Sequence, residues 1–337
     1  MTRRVFTGWP EIVVITGASA GVGRATARAF ARRGALVGLV ARGEDGLAAT
    51  AREIAALGGR ALVLPADVAK SAEVEAAAEA VESRFGPIDI WINNAMATIF
   101  SPVSAITPDE FRRATEVTYL GTVYGTMAAL KRMRPRNRGS IVQVDSALGY
   151  RAIPLQAPYC GAKFAIRGFT DSLRSELLHD EIDINLALVC MPALNTPQFD
   201  WARNKTGHAA QPVPPIFQPE VAAAAIIHAA THHVRELWVG TPTIKAILAN
   251  KLFPGLLDRL LARRGYSGQL TDRPSPRDST GNLFAPVRGD HGAHGRFDDR
   301  AHPTSIELWG RRHGSWIAGG MAALVGLALG LTAARRR

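Results

Sequence analysis

The stretch Ile12-Val13-Val14-Ile15-Thr16-Gly17-Ala18-Ser19-Ala20-Gly21-Val22-Gly23 passes from an unbroken apolar run into a glycine-rich turn. A run of β-branched residues suits a parallel strand buried on both faces. Glycines in the turn permit a tight reversal and a close approach of the backbone to a pyrophosphate. A helix is expected from residue 24, and the amide groups at its start, with the helix dipole, face such an anion. Many tight turns carry glycines; the order strand, turn, helix is what gives this one meaning.

Outward from this turn the chain repeats the same alternation. Apolar runs at 35–40, 61–64, 88–92, 140–144, 184–189 and 236–239 read as strands. Helical spacing fits 24–33, 47–57, 71–85, 108–133 and 158–179. Repeated β-α units predict an α/β fold, a doubly wound parallel sheet of Rossmann-like type, in one catalytic domain over residues 1–245. Composition then changes. Residues 244–264 read as an amphipathic helix interrupted by Pro254 and Gly255. Residues 271–305 are rich in Pro, Gly, Asp, Arg and His and offer little to bury, so a loose arm and an ordered irregular flap both fit. The C-terminal extension thus divides into an amphipathic and polar arm over 246–315 and an uncharged stretch over 316–334.

Hydrophobic residues make up 47% of the chain and charged residues 20%, a balance that supports a substantial core. The only cysteines, Cys160 and Cys190, lack CxxC or Cys/His spacing and suggest neither a disulfide framework nor a metal site. They read as small buried residues in a reducing compartment. No apolar run of signal-peptide length precedes the first strand, so export is not expected. Part of the net charge of +11 is clustered at Lys131, Arg132, Arg134, Arg136 and Arg138. That cluster lies between a helix and a strand, where a solvated loop is the default. With no nucleic-acid-binding motif beside it, nucleic acid is not expected as a partner.

Arg42 follows the second strand, where a dinucleotide fold meets the adenosine ribose. An acidic residue there would accept from a free 2′-hydroxyl and favour NAD(H). A guanidinium pairs instead with a 2′-phosphate, so NADP(H) is expected. Ser146 lies just beyond a strand's carboxyl end, where ligands gather in open α/β sheets. Tyr159 and Lys163 are four residues apart and share a helix face. A tyrosine near its free pKa of about 10 is a poor base at neutral pH, but a neighbouring ammonium and an oxidised nicotinamide favour the phenolate. Tyr159 can then exchange a proton with a substrate oxygen, while Ser146 donates a hydrogen bond to that oxygen as charge develops.

Thr16 to Gly23, Asn93-Asn94-Ala95, Ser146 and Tyr159-Cys160-Gly161-Ala162-Lys163, in this order and spacing, resemble the short-chain dehydrogenase/reductase family over residues 10–245. The resemblance implies that Gly17, Ser19, Gly21, Val22 and Gly23 surround the cofactor phosphates, and that Asp67 and Val68 contact the adenine. It places Asn93 and Ala95 near the cofactor ribose, Lys163 on the nicotinamide ribose hydroxyls, and Pro192 and Thr196 beside the nicotinamide. It also implies a homo-oligomer built by helix pairing. Three positions depart from the pattern. Met96 and Ala193 stand where the family has glycine. Thr118 replaces a helix asparagine that supports a water relay to the lysine, so Thr118 is a candidate relay with one polar atom fewer.

Residues 316–334 are nineteen residues without a charge, close to the roughly 20 that cross a bilayer core. Trp316 and Arg335 to Arg337 suit its two interfaces, and Gly326 and Gly330 form a GxxxG pair. The expectation is a C-terminal membrane anchor with the catalytic domain in the cytoplasm; a buried core helix is the other reading. Membrane proximity, with Phe199, Trp201 and Phe217 in the expected substrate loop, favours a lipophilic alcohol or carbonyl substrate. The function expected is hydride transfer between NADP(H) and a carbonyl/alcohol pair. The alternatives are a non-catalytic NADP(H)-sensing module at a membrane and another reaction on the same scaffold, such as epimerisation. Ser146, Tyr159 and Lys163 together favour the enzyme, because a sensor needs only the cofactor site.

Overall fold

Each continuous apolar run becomes a strand of one parallel sheet. In the computed structural model, residues 11–277 and 279–312 are described. The chain begins with β1 (Ile12–Thr16), α1 (Gly21–Ala31), β2 (Leu36–Ala41), α2 (Glu44–Ala56), β3 (Arg60–Pro65), α3 (Ser71–Phe85) and β4 (Ile90–Asn93). A short β5 (Ile99–Phe100) precedes α4 (Pro108–Thr115), which runs through a π turn (Glu116–Leu120) into α5 (Gly121–Met133). Then come β6 (Gly139–Ser146), α6 (Ala157–His179) and β7 (Ile184–Met191). The loops beyond β7 carry α7 (Gln198–Trp201), β8 (Arg203–Asn204), β9 (His208–Ala210) and β10 (Ile216–Phe217), before α8 (Pro219–Thr231) and β11 (Glu236–Trp238). The extension holds α9 (Thr241–Leu252), α10 (Pro254–Gln269), β12 (Leu270–Pro274), β13 (Ala301–His302) and α11 (Ile306–Arg312).

The seven-stranded sheet has the order β11-β7-β6-β4-β1-β2-β3, with every pairing parallel. The chain winds outward from β1 to β3, then crosses back to β4 on the other side of β1. That reversal opens a crevice at the carboxyl ends of β1 and β4. The β-branched run of β1 is explained by its two faces. Val13 and Ile15 pack with α1, α2 and α8, whereas Ile12 and Val14 pack with α3, α5 and α6. The basic residues at the end of α5 and just after it meet acidic partners: Lys131 and Arg132 pair with Glu75, and Arg134 with Asp180.

Pro254 interrupts the helix expected over 244–264, and does so by starting a new one: it stands in the first turn of α10 after a break at Phe253. Of the two readings of residues 271–305, the structure takes the ordered flap. β12 pairs with β9, β13 pairs with β10, and Ser279 bridges Asn204. The extension is thereby pinned along the loops that follow β7. Among the described residues no helix is long and apolar enough to cross a membrane, and the 316–334 stretch lies outside them.

One buried carboxylate joins α4 to these loops. Glu110 closes a capping box with Thr107 and accepts from Arg203 Nε at 2.8 Å and Lys205 Nζ at 2.6 Å. Burial alone would raise its pKa, but hydrogen bonds from Lys205, the Thr107 amide and Arg203 bring it down to about 2 from 4.5. A carboxylate with a depressed folded pKa stabilises the fold above its unfolded value and loses that contribution as pH falls through the folded one. Glu110→Gln is therefore expected to lower the unfolding free energy at pH 7 by on the order of 3 kcal/mol. Urea melts across the acid range should show this deficit shrinking between about pH 4.5 and pH 2.

Candidate active site

The crevice is shaped by residues that leave no room for side chains. Gly17 and Gly21 take φ of +69° and +54°, and a Cβ on Gly17 would stand 2.9 Å from Ala95 Cα. A Cβ on Gly23 would stand 2.1 Å from the Gly17 carbonyl oxygen, so Gly23 serves the turn by its absence of bulk. Gly17, Ser19, Gly21 and Val22 line the cleft, as do Asp67, Val68 and Ala95. Left-handed glycines at the head of α1 fit the phosphates of a dinucleotide, whose charge the α1 amides would meet.

Arg42 also lines this cleft, but it is not an isolated surface group. Its guanidinium donates to the Asn282 carbonyl and, at 3.2 Å, to the Leu283 carbonyl, both in the C-terminal arm. Burial, then the neighbouring Arg113, lowers its pKa, with Asp67 opposing them. The arm itself supplies cleft-lining residues, among them Asn282, Val287, Gly289 and His291. No local pattern points to this placement, because residues 282–291 have no periodicity.

A second cavity adjoins the first, sharing Val22, Asn94, Met96 and Thr196 with it. Ser146, Tyr159 and Lys163 meet on its wall, and Pro192 and Ala193 line it from the loop after β7. The cavity is otherwise mainly apolar, with Leu257, Leu260 and Leu261 of α10 and Phe199 among its walls. Ser146 Oγ accepts from the Leu148 amide at 3.1 Å and hydrogen-bonds Tyr159. Lys163 is 3% exposed; its Nζ donates to the Val144 carbonyl at 2.5 Å and lies 5.5 Å from the Tyr159 ring centroid.

The electrostatics at Tyr159 are set first by burial. Burial, reinforced by Asp145 and Cys160, raises its pKa well above the ordinary value, and the Ser146 hydrogen bond opposes this without reversing it. The Lys163 ammonium is anchored on the Val144 carbonyl, and burial lowers its own pKa, with Asp145 opposing. Asp145, directly before Ser146, went unnoticed in the sequence. It is 2% exposed, its Oδ1 has no hydrogen-bond partner, and burial raises its pKa to about 7 against the pull of Lys163.

Three further placements correct the sequence expectations. Asn93 is turned into the core, where it accepts from Trp91 Nε1 and donates to Thr126 and Gln143. Strand alternation sends its side chain to the α5 face, and Asn94 reaches the cleft instead. Thr118 is fully buried in the π turn; its Oγ1 donates to the Ala97 carbonyl and accepts from the Ala97 amide, both at 3.0 Å. Its single proton is engaged there, so it is not placed to relay one to Lys163. Of the three aromatic residues, Phe199 reaches the apolar cavity, Trp201 the cofactor cleft, and Phe217 the core.

A glycine cradle at a topological switch point, beside a Ser-Tyr-Lys wall, defines a dinucleotide-dependent oxidoreductase. The chain belongs to the short-chain dehydrogenase family, whose pattern it matches over residues 11–206. It is 35% identical over 275 residues to the uncharacterized oxidoreductase YxnA of Bacillus subtilis, covering 80% of this chain and 77% of that protein. An alcohol dehydrogenase from the archaeon Thermococcus sibiricus, solved with 5-hydroxy-NADP, superposes with a TM-score of 0.59 at 27% identity, covering 68% of this chain and 95% of that one. A metagenomic short-chain oxidoreductase in complex with NADP does so with a TM-score of 0.58 at 26% identity, covering 68% and 96%. The protein is thus an oxidoreductase that uses a nicotinamide cofactor.

The placement of Thr118 predicts a structural and not a catalytic phenotype. Thr118→Val should lower the unfolding free energy by about 1–3 kcal/mol, the cost of leaving the Ala97 groups unpaired. The pH profile of turnover should keep its wild-type shape, and a displaced limb in that profile would restore the relay.

Proposed function

We propose that the protein transfers a hydride between NADP(H) and a lipophilic carbonyl/alcohol substrate, with Ser146, Tyr159 and Lys163 as its catalytic residues. The observation that carries this reading is the meeting of those three side chains on the wall of an apolar cavity that opens into the cofactor cleft. When bound, the nicotinamide supplies or accepts the hydride at the substrate carbon. The phenol of Tyr159 keeps its proton at neutral pH, which suits donation to a carbonyl oxygen in the reductive direction. Ser146 accepts from the Leu148 amide, leaving its own proton for Tyr159 or for the same substrate oxygen as negative charge gathers. Lys163 lies 5.5 Å from the Tyr159 ring centroid on the same cavity wall, and the family resemblance supports its binding the nicotinamide ribose hydroxyls.

Arg42 supports NADP(H) over NAD(H), and the two NADP-bound structural relatives agree with it. A lipophilic substrate is supported by the leucines of α10 that line the cavity and by Leu252, Phe253 and Leu256, which are 69%, 59% and 64% exposed at the α9–α10 tip. That tip and the uncharged stretch at 316–334 favour a station at a membrane surface, and the family resemblance favours a homo-oligomer.

Tyr159→Phe is expected to fold, to bind NADPH with wild-type affinity, and to lose about 10²–10⁴-fold in hydride transfer to long-chain or cyclic ketones, read by stopped-flow absorbance. Near-normal turnover in the variant would overturn the assignment. If wild-type protein binds NADPH tightly and oxidises it with no carbonyl in the panel, the sensing module becomes the better reading.

A further inference from the structure

The C-terminal arm crosses the adenosine half of the cofactor cleft and is tied down along its whole passage. The Gly21 amide donates to the Gly292 carbonyl at 3.2 Å, and the Gly289 amide to Asp45 Oδ2 at 2.8 Å. Arg24 on α1 is ion-paired with Asp290 of the arm. At the far end, the Leu283 carbonyl accepts from two guanidiniums, Arg42 Nη1 and Arg113 Nε, each at 3.2 Å, while Arg42 also donates to the Asn282 carbonyl. Arg113 donates to Asp67 Oδ2 at 2.5 Å, in a pair whose side chains are only 13% and 15% exposed.

Two guanidiniums and one carboxylate leave this corner with an excess positive charge, the adjacent Lys70 and Glu73 being matched to each other. The arrangement is selective in a specific way. Asp67 lines the same cleft as Arg42 and is close enough to interact with it; left unmatched, it would draw the Arg42 guanidinium to itself and repel a phosphate. Arg113, from behind the wall, takes up the Asp67 charge. The arm carbonyls hold the Arg42 fork in one orientation, so that less rotamer freedom is lost when an anion binds.

We propose that the C-terminal arm is the outer wall of the adenosine half of the cofactor site, with the Asn282 and Leu283 carbonyls aiming Arg42 and Arg113 neutralising Asp67 so that a 2′-phosphate is chosen over a bare 2′-hydroxyl. This rests on the NADP(H) reading of Arg42. Arg113 is a positioning residue, acting through Asp67 and Arg42.

The test is calorimetric titration of the full chain with NADP⁺ and NAD⁺. Arg113→Ala should weaken NADP⁺ by about 10-fold and leave NAD⁺ within about twofold, the scale of one charge-assisted contact. Adding Asp67→Asn to Arg113→Ala should restore most of the NADP⁺ over NAD⁺ affinity ratio, because the uncovered carboxylate is then gone and any adenine contact of Asp67 is common to both cofactors. A purely structural Arg113 would weaken both cofactors alike and show no such recovery; either result overturns the proposal. Arg113→Lys, which keeps the charge, should fall between wild type and Arg113→Ala. For the arm, hydrogen exchange at the amides of 282–289 should slow more with NADP⁺ than with NAD⁺ at equal saturation, and equal slowing would remove the arm from the mechanism. If the wild type prefers NADP⁺ and Arg42→Ala abolishes that preference while Arg113→Ala does not change it, this inference alone fails. No NADP⁺ preference in the wild type would remove the Arg42 reading beneath it.

Discussion

Thr16 Oγ1 donates to the Ile92 carbonyl and accepts from the amides of Asn94 and Ala95, tying the end of β1 to the end of β4. Asn94 Nδ2 returns a hydrogen bond to the Thr16 carbonyl at 3.0 Å. These contacts hold open the point where the strand order reverses, and they demand that the glycine turn approach within van der Waals distance of the β4 end. Gly17 and Gly23 satisfy that demand because neither has a Cβ. The cofactor cleft, the junction with the apolar cavity and the seating of the arm against Gly21 all follow from this one close approach.

The wall that carries Ser146, Tyr159 and Lys163 obeys a different constraint, which is burial. Burial raises both the Tyr159 phenol and the Asp145 carboxyl and lowers the Lys163 ammonium, so each of the three is pushed toward its neutral form. The Val144 carbonyl and Asp145 keep Lys163 in place. Burial thus favours the protonated phenol beside the Ser146 hydroxyl.

The extension changes the character of an otherwise familiar architecture. α10 lends leucines to the apolar cavity, and the irregular arm closes the opposite, adenosine end of the cofactor cleft. One continuous segment after β11 therefore bounds both ligand-binding spaces. Gly281 and Gly295 let it lie flat: a Cβ at either would stand 2.5 Å or 2.6 Å from a backbone oxygen of the loops it covers.

The sequence by itself determined the order of strands and helices, the doubly wound sheet, the glycine turn and the choice of Ser146, Tyr159 and Lys163 as candidates. Those features are local: β-branched runs, glycine spacing and an i, i+4 pair are readable from neighbours along the chain. Tertiary structure decided everything that depends on which distant group a side chain meets. It turned Asn93 into the core and Asn94 into the cleft, joined the Thr118 hydroxyl to Ala97, and set Asp145 behind Ser146. It also laid residues 282–292, which have no pattern of their own, across the cleft that Arg42 lines. Periodicity reports the face of an element that is buried; only the folded chain reports what it is buried against.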